Sequence, residues 1–144
     1  MQNSILLPVV ALVAWTLVVL VWVIVTRMPA LKAAGIDLGA AAGGKPGMLD
    51  GVLPDSVQWK AHNYMHLLEQ PVLFYAICLV LAVIGAGDGL NAQLVWTYVG
   101  LRIAHSVVQG TSNIIKYRFG LFAISTLVLM ALTVHAGLAL LHHG

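Results

Sequence analysis

Ile5 to Val25 runs without a charge and with Thr16 as its one polar break, and Arg27 closes the run. A helix that crosses the hydrocarbon of a bilayer needs about 20 such residues in succession. No other feature restricts the fold as much. The competing assignment is a secretory signal, which begins with basic residues and has an apolar core of about 7–15 residues. Met1-Gln2-Asn3-Ser4 carries no Lys or Arg and the run is longer, so we expect a retained membrane helix. Trp15 lies too far from Trp22 for both to sit in one interfacial belt, and Trp15 is expected to pack inside. The rest of the chain agrees. Its 144 residues are 60% hydrophobic and 8% charged, where soluble domains carry roughly 25% charged residues. Seven Lys and Arg cannot line a phosphate backbone, so no nucleic-acid partner is expected. Cys78, the single cysteine, allows no internal disulfide.

Met28 to Gln58 has a different character, rich in Gly and Pro, with Ala40–Gly44 nearly of one composition. It reads as a long connection, and long connections are functional or mobile. Asp55 after Pro54, with Gln58 three residues on, reads as a capping box. Three further helical segments follow, separated by the turn Gly85-Ala-Gly-Asp-Gly89 and by Gly110-Thr-Ser-Asn113. The expected architecture is all-α, an integral membrane four-helix bundle in one domain over 1–144. Its helices are expected at about 5–26, 57–86, 92–111 and 116–141, with a loop over about 27–56. Arg27, Lys32, Lys45 and Lys60 flank the first loop and Lys116 and Arg118 the third, whereas the second has Asp88 and no base. The positive-inside rule therefore puts loops one and three in the cytoplasm and both termini on the far side.

Ionisable residues inside apolar helices are costly and mark functional sites by default. Here they fall on stripes. His62, His66 and Glu69 share one face of the second helix, and Arg102, His105 and Gln109 one face of the third. We expect these faces to meet protein rather than lipid. A Glu69–Arg102 pair is expected, within one copy or across a subunit boundary, as structural glue or as the wall of a ligand site. His62, His66 and Glu69 have a spacing that could ligate a metal, but i, i+4 pairs arise in any helix and no metal is expected. Tyr117 and Arg118 open the fourth helix at the cytoplasmic level. They are either an interfacial anchor pair or the place where a cation attracts an anion or stabilises a thiolate. Asn63, Tyr64, Gln70 and Asn113 could hydrogen-bond a polar ligand there.

The stretch Lys60-Ala-His-Asn-Tyr-Met-His-Leu-Leu-Glu-Gln-Pro-Val-Leu-Phe-Tyr75 resembles the second helix of the MAPEG family, the membrane-associated proteins of eicosanoid and glutathione metabolism. Leu101-Arg-Ile-Ala-His105 is similar to that family's third helix and Tyr117-Arg-Phe119 to the entry of its fourth. The resemblance is closest to bacterial members and implies a location in the bacterial inner membrane. It implies a homotrimer that binds glutathione between subunits and conjugates it to lipophilic electrophiles or uses it to reduce lipid hydroperoxides. By the same resemblance Arg118 would stabilise the thiolate. His62, Asn63, His66, Glu69, Arg102, His105 and Tyr117 would line the ligand pocket. The glutathione-using members carry Arg-Ala-x-x-Asn-x-x-Glu on the second helix; aligned on Glu69, this chain has His62 and His66 at the Arg and Asn positions. Two other readings stay open: a non-catalytic member binding a lipid or small ligand, and a metal-binding membrane protein. Membrane lipid is a partner in all of them.

Overall fold

The computed structural model describes residues 4–45 and 47–143. Among them the secondary structure is four α-helices: α1 Leu6–Ala33, α2 Asp55–Val83, α3 Leu90–Gly110 and α4 Ile115–His143. α1, α2 and α4 are each long and apolar enough to cross a membrane. At 1.5 Å per residue, α1 with its 28 residues is about 42 Å long, more than a hydrocarbon core of about 30 Å requires. α3 is the shortest, with 21 residues, and carries Arg102 and His105 in its interior.

Two local expectations are corrected. α1 does not stop at Arg27; it continues through Pro29 to Ala33. Arg27 ends the uncharged run but not the hydrogen-bond ladder, and a proline there removes one donor without ending the helix. The connection is accordingly 34–54. The capping box is also absent: the N-cap of α2 is Pro54, without a side-chain cap, and Asp55 is already in the first turn. Gln58 reaches back instead, its Nε2 donating to Asp50 Oδ1 at 3.0 Å.

α2 and α3 form the middle of the bundle. α1 packs on both of them, α4 packs on both of them, and α1 and α4 do not meet. The core runs along this seam: Leu12 and Val19 from α1, Leu67, Phe74, Cys78 and Leu81 from α2, Val95 and Tyr98 from α3, Leu132 from α4. Phe74 and Tyr98 stack with ring centroids 4.2 Å apart. Most other apolar side chains point outward, as a lipid-facing surface requires; Leu7, Val72, Leu127 and Val134 are all more than half exposed.

Polar side chains within the bundle find one another, because nothing in hydrocarbon would satisfy them. Tyr98 Oη donates to Gln70 Oε1 at 3.1 Å and Gln70 Nε2 to Thr126 Oγ1 at 2.9 Å, which joins α2, α3 and α4. Trp15 Nε1 donates to Ser106 Oγ at 2.8 Å, so Trp15 does pack inward. Asn63 Nδ2 donates to Ser106 O at 3.0 Å. One level closer to the long loop, the Trp22 ring lies against Gly110, where a Cβ would come within 2.6 Å of it. Lys60 Nζ sits 5.3 Å from that ring's centroid. α1, α2 and α3 therefore converge at a point where only glycine fits. At the other end Ser4 Oγ donates to Asp88 Oδ1 at 2.8 Å, and His135 Nδ1 lies 2.7 Å from Asn91 Oδ1.

Candidate functional site

On the side of the bundle where α2, α3 and α4 meet, a cleft of about 300 Å³ opens between His66 and Glu69 of α2, His105 of α3, and Arg118 of α4. The local sequence explains each position. His66 and Glu69 are three residues apart, hence on one helical face, and His66 Nδ1 is 3.3 Å from Glu69 Oε2. His105 stands opposite, its ring edge-on to His66 with centroids 6.4 Å apart. It is 5% exposed, and its Nδ1 has no hydrogen-bond partner among the described residues. Arg118 lies in the first turn of α4. Its Nη1 donates to Asn113 Oδ1 at 2.6 Å. Asn113 has a left-handed backbone, φ 51°, which Asn tolerates better than most side chains. That conformation turns the chain from α3 into α4 and holds the guanidinium by one end. Arg118 Nε is buried and unpartnered among the described residues.

The remaining wall is apolar: Ile115, Phe119 and Phe122. With Arg118 they stand at i, i+3, i+4 and i+7, one face of α4. Phe119 is 69% exposed, so this wall continues onto the lipid-facing surface. The cleft thus offers one anchored cation and two imidazoles beside a hydrophobic plate. That combination can hold an anionic or thiol-bearing molecule against an apolar one.

Of the residues singled out from the sequence, His66, Glu69, His105 and Arg118 come together here. The others go elsewhere. Asn63 is fully buried and committed to Ser106 O. Tyr117 is 58% exposed and lies outside the cleft. His62 lines a separate cavity under the long loop. Within one copy the expected Glu69–Arg102 ion pair is not formed: among the described residues the one carboxylate contact of this kind is His66–Glu69. Arg102 is 1% exposed and donates from Nη2 to the His66 carbonyl at 3.2 Å. Glu69 is turned outward, its side chain 63% exposed. The two stripes do face each other, but the rotation of α2 about its axis directs Glu69 past Arg102. Among the described residues no three of His, Cys, Asp and Glu converge as a metal site.

Ile115 and Phe122 were not singled out from the sequence, and Asn113, expected to hydrogen-bond a ligand, accepts from Arg118 instead. Phe122 and Ile115 could have been found from their spacing to Arg118; the hold of Asn113 on Arg118 depends on a backbone angle that spacing does not reveal.

A four-helix bundle with three membrane-length apolar helices and a polar, cation-bearing cleft opening on its side defines an integral membrane protein that can bring a polar and a lipophilic molecule together. The family model described as MAPEG family matches residues 5–138, and the chain belongs to that family of membrane proteins of eicosanoid and glutathione metabolism. Comparison with curated proteins and with solved structures gives no match.

Proposed function

We propose that the protein is a glutathione- or thiol-dependent transferase or peroxidase acting on lipophilic electrophiles or lipid hydroperoxides. The observation that carries this reading is Arg118, which lines the cleft, held at Nη1 by Asn113, directly beside Phe119 and Phe122. A fixed cation stabilises a thiolate over a thiol, and the thiolate is the nucleophile. The aromatic wall would hold the lipophilic partner within reach of the sulfur. In the transfer reaction the sulfur lone pair forms the new C–S bond and the electrophile's leaving group departs with its electron pair. His66, His105 and Glu69 would bind the polar parts of the thiol. His62, Asn63, Arg102 and Tyr117 act at a distance from this chemistry or not at all.

The reading includes a homotrimer. Glu69 is largely exposed on a single copy although it lies on a membrane-spanning helix. Such a carboxylate is costly against lipid, and a neighbouring copy would cover it.

The test is glutathione binding to detergent-solubilised protein, followed by ultraviolet difference absorbance of the thiolate, with Arg118→Ala and Arg118→Lys alongside. A thiolate band that is lost in Arg118→Ala and partly kept in Arg118→Lys supports the assignment. Glutathione that fails to bind at millimolar concentration, or a band indifferent to Arg118, sinks it. Native mass spectrometry of the same samples reads the number of copies, with three expected.

A further inference from the structure

The cavity that contains His62 is separate from the cleft. It lies between the end of α1, the start of α2 and the loop, and measures about 420 Å³, within the roughly 300–1,000 Å³ usual for small-ligand sites. Its walls have two kinds of surface. Leu31, Ile36, Leu38, Met48, Leu49 and Met65 are apolar. Three of these, Leu38, Met48 and Met65, are about half exposed, so an apolar chain lying there would cover them. Arg27 and Lys45 supply two cations to the same space, with His62 at its edge. Asp50 is the one carboxylate on the wall, and its Oδ1 already accepts from Gln58 Nε2.

Gln58 gives the decisive detail. It is 7% exposed and lines the cavity, yet its Oε1 has no partner among the described residues. A buried carbonyl oxygen left unpaired costs free energy comparable to a lost hydrogen bond. This oxygen is an acceptor, so whatever completes the site must bring a donor. The requirement is for one molecule with an apolar chain, an anionic group and a hydroxyl close to that group.

We infer that the loop cavity is a binding site for an anionic glycerophospholipid whose headgroup carries a free hydroxyl. The phosphodiester lies between Arg27 and Lys45, the headgroup hydroxyl donates to Gln58 Oε1, and an acyl chain follows Leu31 and Met65 toward the bilayer. The position fits: Arg27 ends the uncharged part of α1, where the polar headgroups of a bilayer lie, and anionic lipids attract basic residues at that level. This assignment uses no residue of the thiol cleft and does not depend on the reaction proposed there.

The experiment needs three lipids and no thiol. Delipidated protein in detergent is titrated with dioleoylphosphatidylglycerol, dioleoylphosphatidylmethanol or dioleoylphosphatidylcholine, and bound lipid is counted by native mass spectrometry. Phosphatidylglycerol has both the anion and the hydroxyl, phosphatidylmethanol the anion alone, phosphatidylcholine no net charge. The expected order is phosphatidylglycerol tighter than phosphatidylmethanol by roughly five- to tenfold, and phosphatidylmethanol tighter than phosphatidylcholine. The combined Arg27→Gln, Lys45→Gln change should erase the second difference, and Gln58→Leu the first. Gln58 also holds Asp50, so Ala42→Trp serves as the independent variant: it fills the cavity from the loop and leaves the helices untouched. Saturable phosphatidylglycerol binding lost in Ala42→Trp supports the site. Equal affinity for phosphatidylglycerol and phosphatidylmethanol, binding that does not saturate, or binding unchanged in Ala42→Trp overturns it.

Discussion

Replacing Gly110 with alanine tests the packing that positions the whole site, because α1, α2 and α3 converge on that residue. The added Cβ would stand 2.6 Å and 2.8 Å from two carbons of the Trp22 ring. To regain the edge of ordinary contact at 3.4 Å the ring must retreat by about 0.8 Å, and a rigid side chain cannot do this by rotation alone. Lys60 Nζ lies over the ring's face, and Asn63 Nδ2 is itself 3.3 Å from the same Cβ position. Overpacking of this kind costs typically about 1–3 kcal/mol. Alanine returns up to about 1 kcal/mol of helix propensity. The net expectation is a loss of about 1–2 kcal/mol, or roughly 2–8 °C in the melting temperature of a chain this size. Gly120→Ala is the control: nothing lies within 4 Å of its Cβ position, so only the propensity gain remains. The assay is thermal unfolding of both variants in the same detergent, with Trp22→Leu added to Gly110→Ala as a third sample. Trp22→Leu should recover part of the loss. A Gly110→Ala protein as stable as Gly120→Ala would refute the close approach of Trp22 and the convergence built on it.

Other expectations concern single contacts and topology. In protein dissociated to single copies, Glu69→Gln should cost under about 1 kcal/mol, because there the carboxylate is exposed and meets only His66 within one helical turn; a loss of about 3–5 kcal/mol would indicate a buried ion pair. Trp15→Phe and Ser106→Ala should each lower stability by about 1 kcal/mol and be non-additive when combined, since both remove the same hydrogen bond; strict additivity in unfolding experiments would show that the bond contributes nothing. A cysteine placed at Asp88 should react with an impermeant maleimide added to intact cells, and one placed at Lys45 should not. The reverse pattern would invert the topology.

The number and order of helices were legible because three of the apolar runs are long and all four segments are bounded by Gly, Pro or charge. Family membership was legible from two short segments around Glu69 and Arg102. The end of α1 was not, since Arg27 is a boundary for hydrocarbon and not for backbone hydrogen bonds. The partner of Arg102 was not legible either. Periodicity placed Arg102 and Glu69 on facing stripes, but which side chains touch depends on the rotation of each helix about its own axis, set by packing such as Phe74 on Tyr98. Arg102 took a backbone carbonyl, an acceptor that every residue carries and that no sequence pattern marks. The aromatic wall was hidden for a different reason. Phe122 and Ile115 share a helical face with Arg118, a spacing the sequence does contain, but that face gains meaning only once Arg118 is seen to line the cleft.

The weaker apolarity of α3 has a consequence for how the chain enters its membrane. α1, α2 and α4 each have a span apolar enough to insert alone, and α3 is not among them. An arginine near the centre of a crossing helix costs roughly 2.5–3.5 kcal/mol at insertion, and Arg102 finds its acceptor only on α2. α3 is joined to α4 by the short turn 111–114 and packs along it. The two therefore enter as a hairpin, with the apolar surplus of α4 offsetting the deficit of α3. We therefore expect α3 to wait at the insertion machinery until α4 has emerged. Shortening α4 should leave both helices outside the bilayer rather than one.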